Sequence, residues 1–313
     1  MKKYNVTIIG IEATIFMILF FCLFSKPVQS QVFEEEQSLS FLESNEKTIE
    51  GQIELTATRG YKEAYICPMY LLMLSELIYS KESWKTDRYA DKAQEVAIGI
   101  TNIARNIAEI VRERTLNSTL QFKDESIKTK LLSYLKDIIK VAGTQINSFE
   151  TGGGKDLDPI DKYKYLHFYE VIKEAEEIFK IHIYQGDEGA NFAQHNCPFQ
   201  FLVWSETWPS ANENEAGCQS CVKIAELTKD LMLQLRKYYL YLWEEEYAEV
   251  MDEYKDEFRK EDKEPSYFGA LISQAEALAE YRRIGNKLSL DAAKVYRKEA
   301  TKKFYDYVIK HGD

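Results

Sequence analysis

The sequence predicts an all-α protein, an elongated bundle of about seven helices with a long central helix and one disulfide-stapled irregular loop. Composition is the first observation: Gly (14) and Pro (6) are scarce in 313 residues while Tyr is abundant at 21, a balance that favours long helices over a turn-rich β fold. The second is the series Tyr89, Ala93, Val96, Ile100, Ile103, Ile107 and Ile110, whose steps alternate between four and three. That is a heptad seam, as in a coiled coil or antiparallel bundle. The third is a run from Cys221 to Asp262 without Pro or Gly. It carries two rows at helical spacing: Ile224, Leu227, Leu231, Leu235, Tyr238 and Leu242, then Tyr239, Trp243, Tyr247, Val250, Tyr254 and Phe258.

From the N-terminus, residues 1–30 read as a cleaved export signal. Lys2 and Lys3 give the positive start, residues 15–24 are wholly apolar, and Val28 and Ser30 place small residues at the cleavage site. The alternative is an uncleaved membrane anchor, but Glu12 interrupts the apolar run and is costly to bury in lipid. Phe20 and Phe21 precede Cys22 where a lipoprotein needs small residues, so lipidation is discounted. Cleavage removes three basic residues and one acidic one, taking the formal charge from −11 to −13. An acidic chain with no basic stripe argues against a nucleic-acid partner, and contact with a membrane is expected only in transit through the signal.

Residues 31–60 form an acidic lead-in, with Glu34, Glu35 and Glu36 near its start and a weakly alternating stretch at 52–58 that fits a short strand. Helical hairpins follow over 61–151. The first helix spans about 61–80 with Leu71, Leu72, Leu74 and Leu77. The heptad helix comes next, then a third over about 124–149 with Ile127, Leu131, Leu135, Ile138, Ala142 and Ile146 on one face. Thr151 and Gly152, Gly153, Gly154 mark a hinge; with no strand before it and Asp156 after Lys155, this is not a phosphate-binding loop. Residues 155–313 are expected to pack with the first part as one domain. Asp158 and Pro159 open a helix that runs to about Tyr184, through Tyr165, Phe168, Val171, Ile172, Ala175 and Phe179. Residues 186–216 read as an irregular loop rich in aromatics. After the central helix, Pro265 starts a helix that ends near Gly285, and Ser289 and Asp291 cap the last one, which runs through Ala293, Tyr296, Ala300, Phe304 and Tyr307. Asn117, Ser118 and Thr119 make a glycosylation sequon, meaningful only in a eukaryotic host.

Chemistry concentrates in His195, Cys197, Cys218 and Cys221, with Cys67 apart. Three readings compete. In an oxidising compartment four cysteines make disulfides, and of the three possible pairings the two expected join Cys197 to one of Cys218 and Cys221 and Cys67 to the other. As a metal site, His195, Cys197, Cys218 and Cys221 supply the donors of structural zinc. Cys197 stands where a zinc deaminase has its catalytic Glu, and Gly217 where it has Pro, which argues against that enzyme. As a redox site, Cys218 and Cys221 form a Cys-X-X-Cys at a helix start, where the dipole favours a thiolate. No His-Glu-X-X-His or Gly-X-Ser-X-Gly occurs. His167 and His182 fall on helices and His311 in the tail; the run Glu244 to Glu246 reads as a solvated face.

The function expected is non-enzymatic and cofactor-free: an exported or periplasmic protein that binds or scaffolds a protein partner, such as a component of a cell-envelope or secretion assembly. Phe199, Phe201, Trp204 and Trp208 are the candidate contact residues, the competing reading being that they cap the bundle core. The runner-up is an exported thiol–disulfide oxidoreductase using Cys218 and Cys221, and structural zinc is the second alternative.

Overall fold

The structure is a computed structural model that describes residues 62–80, 87–117, 125–152, 168–207, 218–246 and 265–311. The export signal, the acidic lead-in, the 52–58 strand, the Asp158–Pro159 helix start and the rows beyond Glu246 lie outside the described residues. Among the described residues there is no strand. They form α1 Lys62–Tyr79, α2 Asp87–Asn117, α3 Glu125–Thr151, α4 Phe168–Phe179, α5 Gly186–His195, α6 Cys197–Thr207, α7 Gln219–Glu246, α8 Phe268–Ile284 and α9 Lys287–His311.

The heptad series of α2 is buried from Ala93 through Ile110. These β-branched side chains favour a helix only when packing fixes them, and α1, α3 and α7 all pack on α2. The first row of α7 is core as well: Ile224, Leu231, Leu235 and Tyr238 are buried, Leu227 and Leu242 partly so. α7 packs on α2, α6 and α8, and α8 in turn carries α9. α1 is enclosed more completely, because α2, α3, α4, α5 and α6 all touch it. That explains its composition: apolar all round from Ala64 to Leu74, it has no solvent face to keep polar. Where α1, α2 and α3 meet, a buried polar knot replaces apolar packing. Thr101 donates to Ser75 Oγ at 2.9 Å, and Gln145 Nε2 donates to Leu72 O at 3.0 Å and Glu76 Oε2 at 3.1 Å.

Three sequence expectations are corrected. First, residues 186–207 of the expected 186–216 loop form α5 and α6, and 208–216 lie outside the described residues. α6 is Cys-Pro-Phe-Gln-Phe-Leu-Val-Trp, apolar nearly all round, so it lacks the polar face that gives a helix its period. Pro198 occupies its first turn, where a missing N–H costs nothing. α5 is short and glycine-bearing, yet Gly189 is required: a Cβ there would lie 2.6 Å from Tyr184 O and 3.0 Å from Met73 Cε on α1. Second, the described part of the 158–184 helix is α4 alone, which ends at Phe179; Lys180 follows at φ 51°. Third, α9 begins at Lys287 rather than after Ser289 and Asp291. Its cap is Asn286, whose Oδ1 accepts the Leu288 N–H at 3.1 Å. The end of α8 falls as expected, at Gly285 in the left-handed conformation with φ 71°.

Candidate functional site

The Cys-X-X-Cys closes on itself. Cys218 and Cys221 form a disulfide, Cα–Cα 5.2 Å, so neither sulfur is left for Cys197 or Cys67. The expected staple between the aromatic segment and the head of α7 is therefore overturned, and the reason is local. Cys218 immediately precedes α7, and its C=O accepts the Val222 N–H at 3.0 Å. Its sulfur accepts the Cys221 N–H at 3.3 Å, taking the place a Ser or Asp oxygen holds in an ordinary cap. The three-residue spacing puts the second cysteine where the first helical turn brings it back over the first.

A cation sits on this disulfide. Arg114, in the last turn of α2, brings Nη2 to 2.8 Å from Cys218 Sγ and 4.0 Å from Cys221 Sγ. Cys218 is 2% exposed and Cys221 fully buried. Ser205 Oγ of α6 donates to Cys221 O at 2.8 Å and fixes the other side. On two-electron reduction, the Arg114 guanidinium and the Cys221 N–H would both favour negative charge at Cys218.

The zinc quartet is not assembled. Two of its four donors are bonded to each other, and His195 turns elsewhere: its Nδ1 hydrogen-bonds Tyr267 Oη, and its ring lies 6.1 Å from that of Tyr307. Burial holds the imidazole below its ordinary value, at about 4. Cys197 faces α1, with its Sγ 4.0 Å from Cys67 O. Among the described residues no three His, Cys, Asp or Glu side chains converge as a metal site.

The aromatic candidates pack inward. Phe201 is fully buried and Trp204 is 1% exposed, so in this structure neither offers a surface to a partner. Phe199 is half-buried and stacks on Tyr267 at 5.9 Å and edge-on to Phe304 at 5.5 Å, joining α6 to α8 and α9. Trp208 lies outside the described residues. α6 is clasped at its far end: Arg282 Nε donates to Ser205 O at 2.9 Å and its Nη2 to Glu206 O, while Arg297 pairs with Glu206 at 2.7 Å. These cations meet the carbonyl end of the helix.

Most of the large exposed apolar side chains among the described residues lie instead on α9 and the end of α8. Ile284, Leu288, Val295, Tyr305 and Ile309 are 63%, 77%, 63%, 42% and 72% exposed. Within α9, Leu288, Val295, Tyr305 and Ile309, with Asp291, Lys298 and Lys302 between them, fill an unbroken four-three series from 288 to 309. The sequence reading followed the other side of this helix, which buries Ala293 and Ala300, and so passed over the second stripe. A groove of about 190 Å³ between α3 and α4, lined by Asp137, Lys140, Thr144, Glu170 and Glu174, is smaller than an ordinary small-molecule pocket. Among the described residues no helix is long and apolar enough to cross a membrane. Comparison with models of known families, with curated proteins and with solved structures gave no match to this chain.

Proposed function

We propose that this chain is an exported helical protein that binds another protein, and that α9 is the contact element. The carrying observation is the outward stripe of Leu288, Val295, Tyr305 and Ile309 on α9, a helix whose inner face is already packed on α8. A heptad stripe of large apolar side chains in water is the form in which one helix receives another. The succession α9–α8–α7–α2 supports an elongated bundle with this stripe at one edge. Export rests on Lys2, Lys3 and the apolar 15–24 stretch, and the intact mass of protein recovered outside the cell tests it: cleavage after Ser30 is the expected product.

The occupant is an acidic amphipathic helix of another protein. α9 carries Lys287, Lys294, Arg297, Lys298, Lys302, Lys303 and Lys310 against Asp291, Glu299 and Asp306, in a chain of net charge −11. Lys298 and Lys302 are exposed in the stripe itself. A second copy would place like charges opposite one another, since antiparallel pairing about the helix centre sets Lys298 against Lys298. The acidic remainder of the chain disfavours an anionic membrane.

The probe is a designed helical peptide with Leu at a and d and Glu at e and g, read by fluorescence anisotropy. Binding that weakens with salt is expected, along with loss of about tenfold or more in affinity on joint Leu288→Ser and Val295→Ser substitution. Equal binding of a peptide with Lys at e and g would sink the acidic-partner assignment. So would concentration-dependent dimerisation lost in the double variant, or tighter binding to vesicles of anionic phospholipid than to the peptide.

The Arg114 contact favours a second reading, thiol–disulfide exchange by Cys218 and Cys221. Its prediction is a shift in potential. Arg114→Leu removes a charge that stabilises the reduced thiolate, so the disulfide becomes harder to reduce, by about 30 mV for each pKa unit of lost stabilisation. Alkylation of samples equilibrated in glutathione buffers measures this, and an unchanged potential rejects the role of Arg114.

A further inference from the structure

We propose that Cys67 and Cys197 are the second disulfide of this protein, a covalent tie between α1 and α6. With Cys218 and Cys221 bonded to each other, the remaining described cysteines are these two. They belong to helices far apart in sequence, yet the fold sets them face to face. Cys197 Sγ lies 4.0 Å from Cys67 O across a separation of 130 residues. Both residues are 0% exposed.

The surroundings leave each thiol one covalent partner. α1 is enclosed by five helices, so Cys67 has no path to Cys218 or Cys221 without dismantling the core. Cys197 opens α6, and that helix is held at its other end by Ser205 on Cys221 O and by Arg282 and Arg297. α6 therefore runs from one cysteine pair to the other, and the bundle sorts four cysteines into two separate pairs. Burial and the facing thiol push Cys67 well above the ordinary thiol range. Reduced Cys67 in the closed fold is thus a poor nucleophile, and bond formation belongs to folding or to an opened state in which α6 has lifted from α1.

The oxidant is a disulfide, either a small one such as glutathione disulfide or that of an exchange catalyst. One cysteine thiolate attacks a donor sulfur, forms a mixed disulfide and releases a donor thiolate. The second cysteine, deprotonated, attacks the mixed disulfide at the protein sulfur and expels the other donor thiolate. The two protons end on the released donor thiols. Two cysteine S–H groups are oxidised to one S–S bond while one donor disulfide is reduced to two thiols. Once made, the bond lies in the core, beyond the reach of reductants in the closed fold. It also closes a long loop in the unfolded chain and so favours the folded state.

The test uses the full chain refolded in a glutathione redox buffer, then denatured with an alkylating agent, digested and mass-mapped. The expected product is a cross-linked peptide pair containing Cys67 and Cys197, with no peptide joining either to Cys218 or Cys221. The Cys218→Ser, Cys221→Ser double variant isolates the proposed bond: its oxidised form should be lighter than its reduced form by two hydrogens and should melt at a higher temperature. Recovery of alkylated Cys67 and Cys197 from the fully oxidised wild type overturns the assignment. So does a bridge from either of them to Cys218 or Cys221.

Discussion

Trp204→Ala is expected to cost about 3–5 kcal/mol of folding stability, the range for truncating a buried large aromatic. Trp204 is 1% exposed, in the middle of α6, among the fully buried large side chains. α6 touches α1, α5, α7 and α8, so the cavity opens where several packing surfaces meet and cannot collapse onto one flexible neighbour. The contact reading of this tryptophan predicts a different result, in which partner binding weakens while unfolding by urea is unchanged. Equilibrium urea unfolding followed by circular dichroism separates the two. An unchanged midpoint would return Trp204 to the surface and with it the loop expected from sequence. Phe201, also fully buried, should behave the same way, whereas half-buried Phe199 should cost less.

That contrast shows what the sequence made legible. Period carried the reading where a helix has a wet side. The alternating steps from Ala93 to Ile110 located the buried face of α2, and the row from Ile224 to Tyr238 did the same for α7. Period failed where a helix is wrapped all round. Residues 197–204 include one polar side chain, Gln200, and a continuous apolar run has no moment to betray its helicity. Aromatics in such a run look like a binding loop when they are core. α9 presents the converse case: it carries two apolar stripes, and sequence alone does not say which one the neighbour takes. α8 explains the choice, because its alanines at 270, 275, 277 and 279 let helices approach closely on both sides. The cysteine pairing was open for a related reason. The sequence reading expected distant bonds from Cys197 and Cys67 to this motif, whereas the helix start at Gln219 brings Cys221 back over Cys218.

Acid should weaken this fold through His195, by about 2.5 kcal/mol between pH 7.5 and pH 4.5 beyond the losses from other groups. The imidazole is buried at 6% exposure, and burial lowers its value from an ordinary 6.5 to about 4. Above pH 6.5 the ring is neutral in both folded and unfolded chains, and the proton has no effect. Between 6.5 and 4 the unfolded chain binds a proton that the folded chain refuses, so stability falls as pH falls through that window and levels off below it. The groups facing the ring do not offset this. Tyr267, its hydrogen-bond partner from the start of α8, and Tyr307 of α9 are both raised above the ordinary tyrosine value by burial and stay uncharged. Gln194, beside it on α5, is neutral and accepts from Tyr239 of α7 at 2.8 Å. His195→Gln keeps a polar group for Tyr267 but cannot titrate in this range. Urea unfolding of both proteins across pH 4.5 to 7.5 isolates the histidine, since the carboxylates titrate alike in each. The wild type should lose more stability than the variant on acidification. Parallel curves would mean that His195 takes up its proton inside the fold as readily as outside, and that Tyr267 accepts a hydrogen bond from an imidazolium rather than sharing one with a neutral ring.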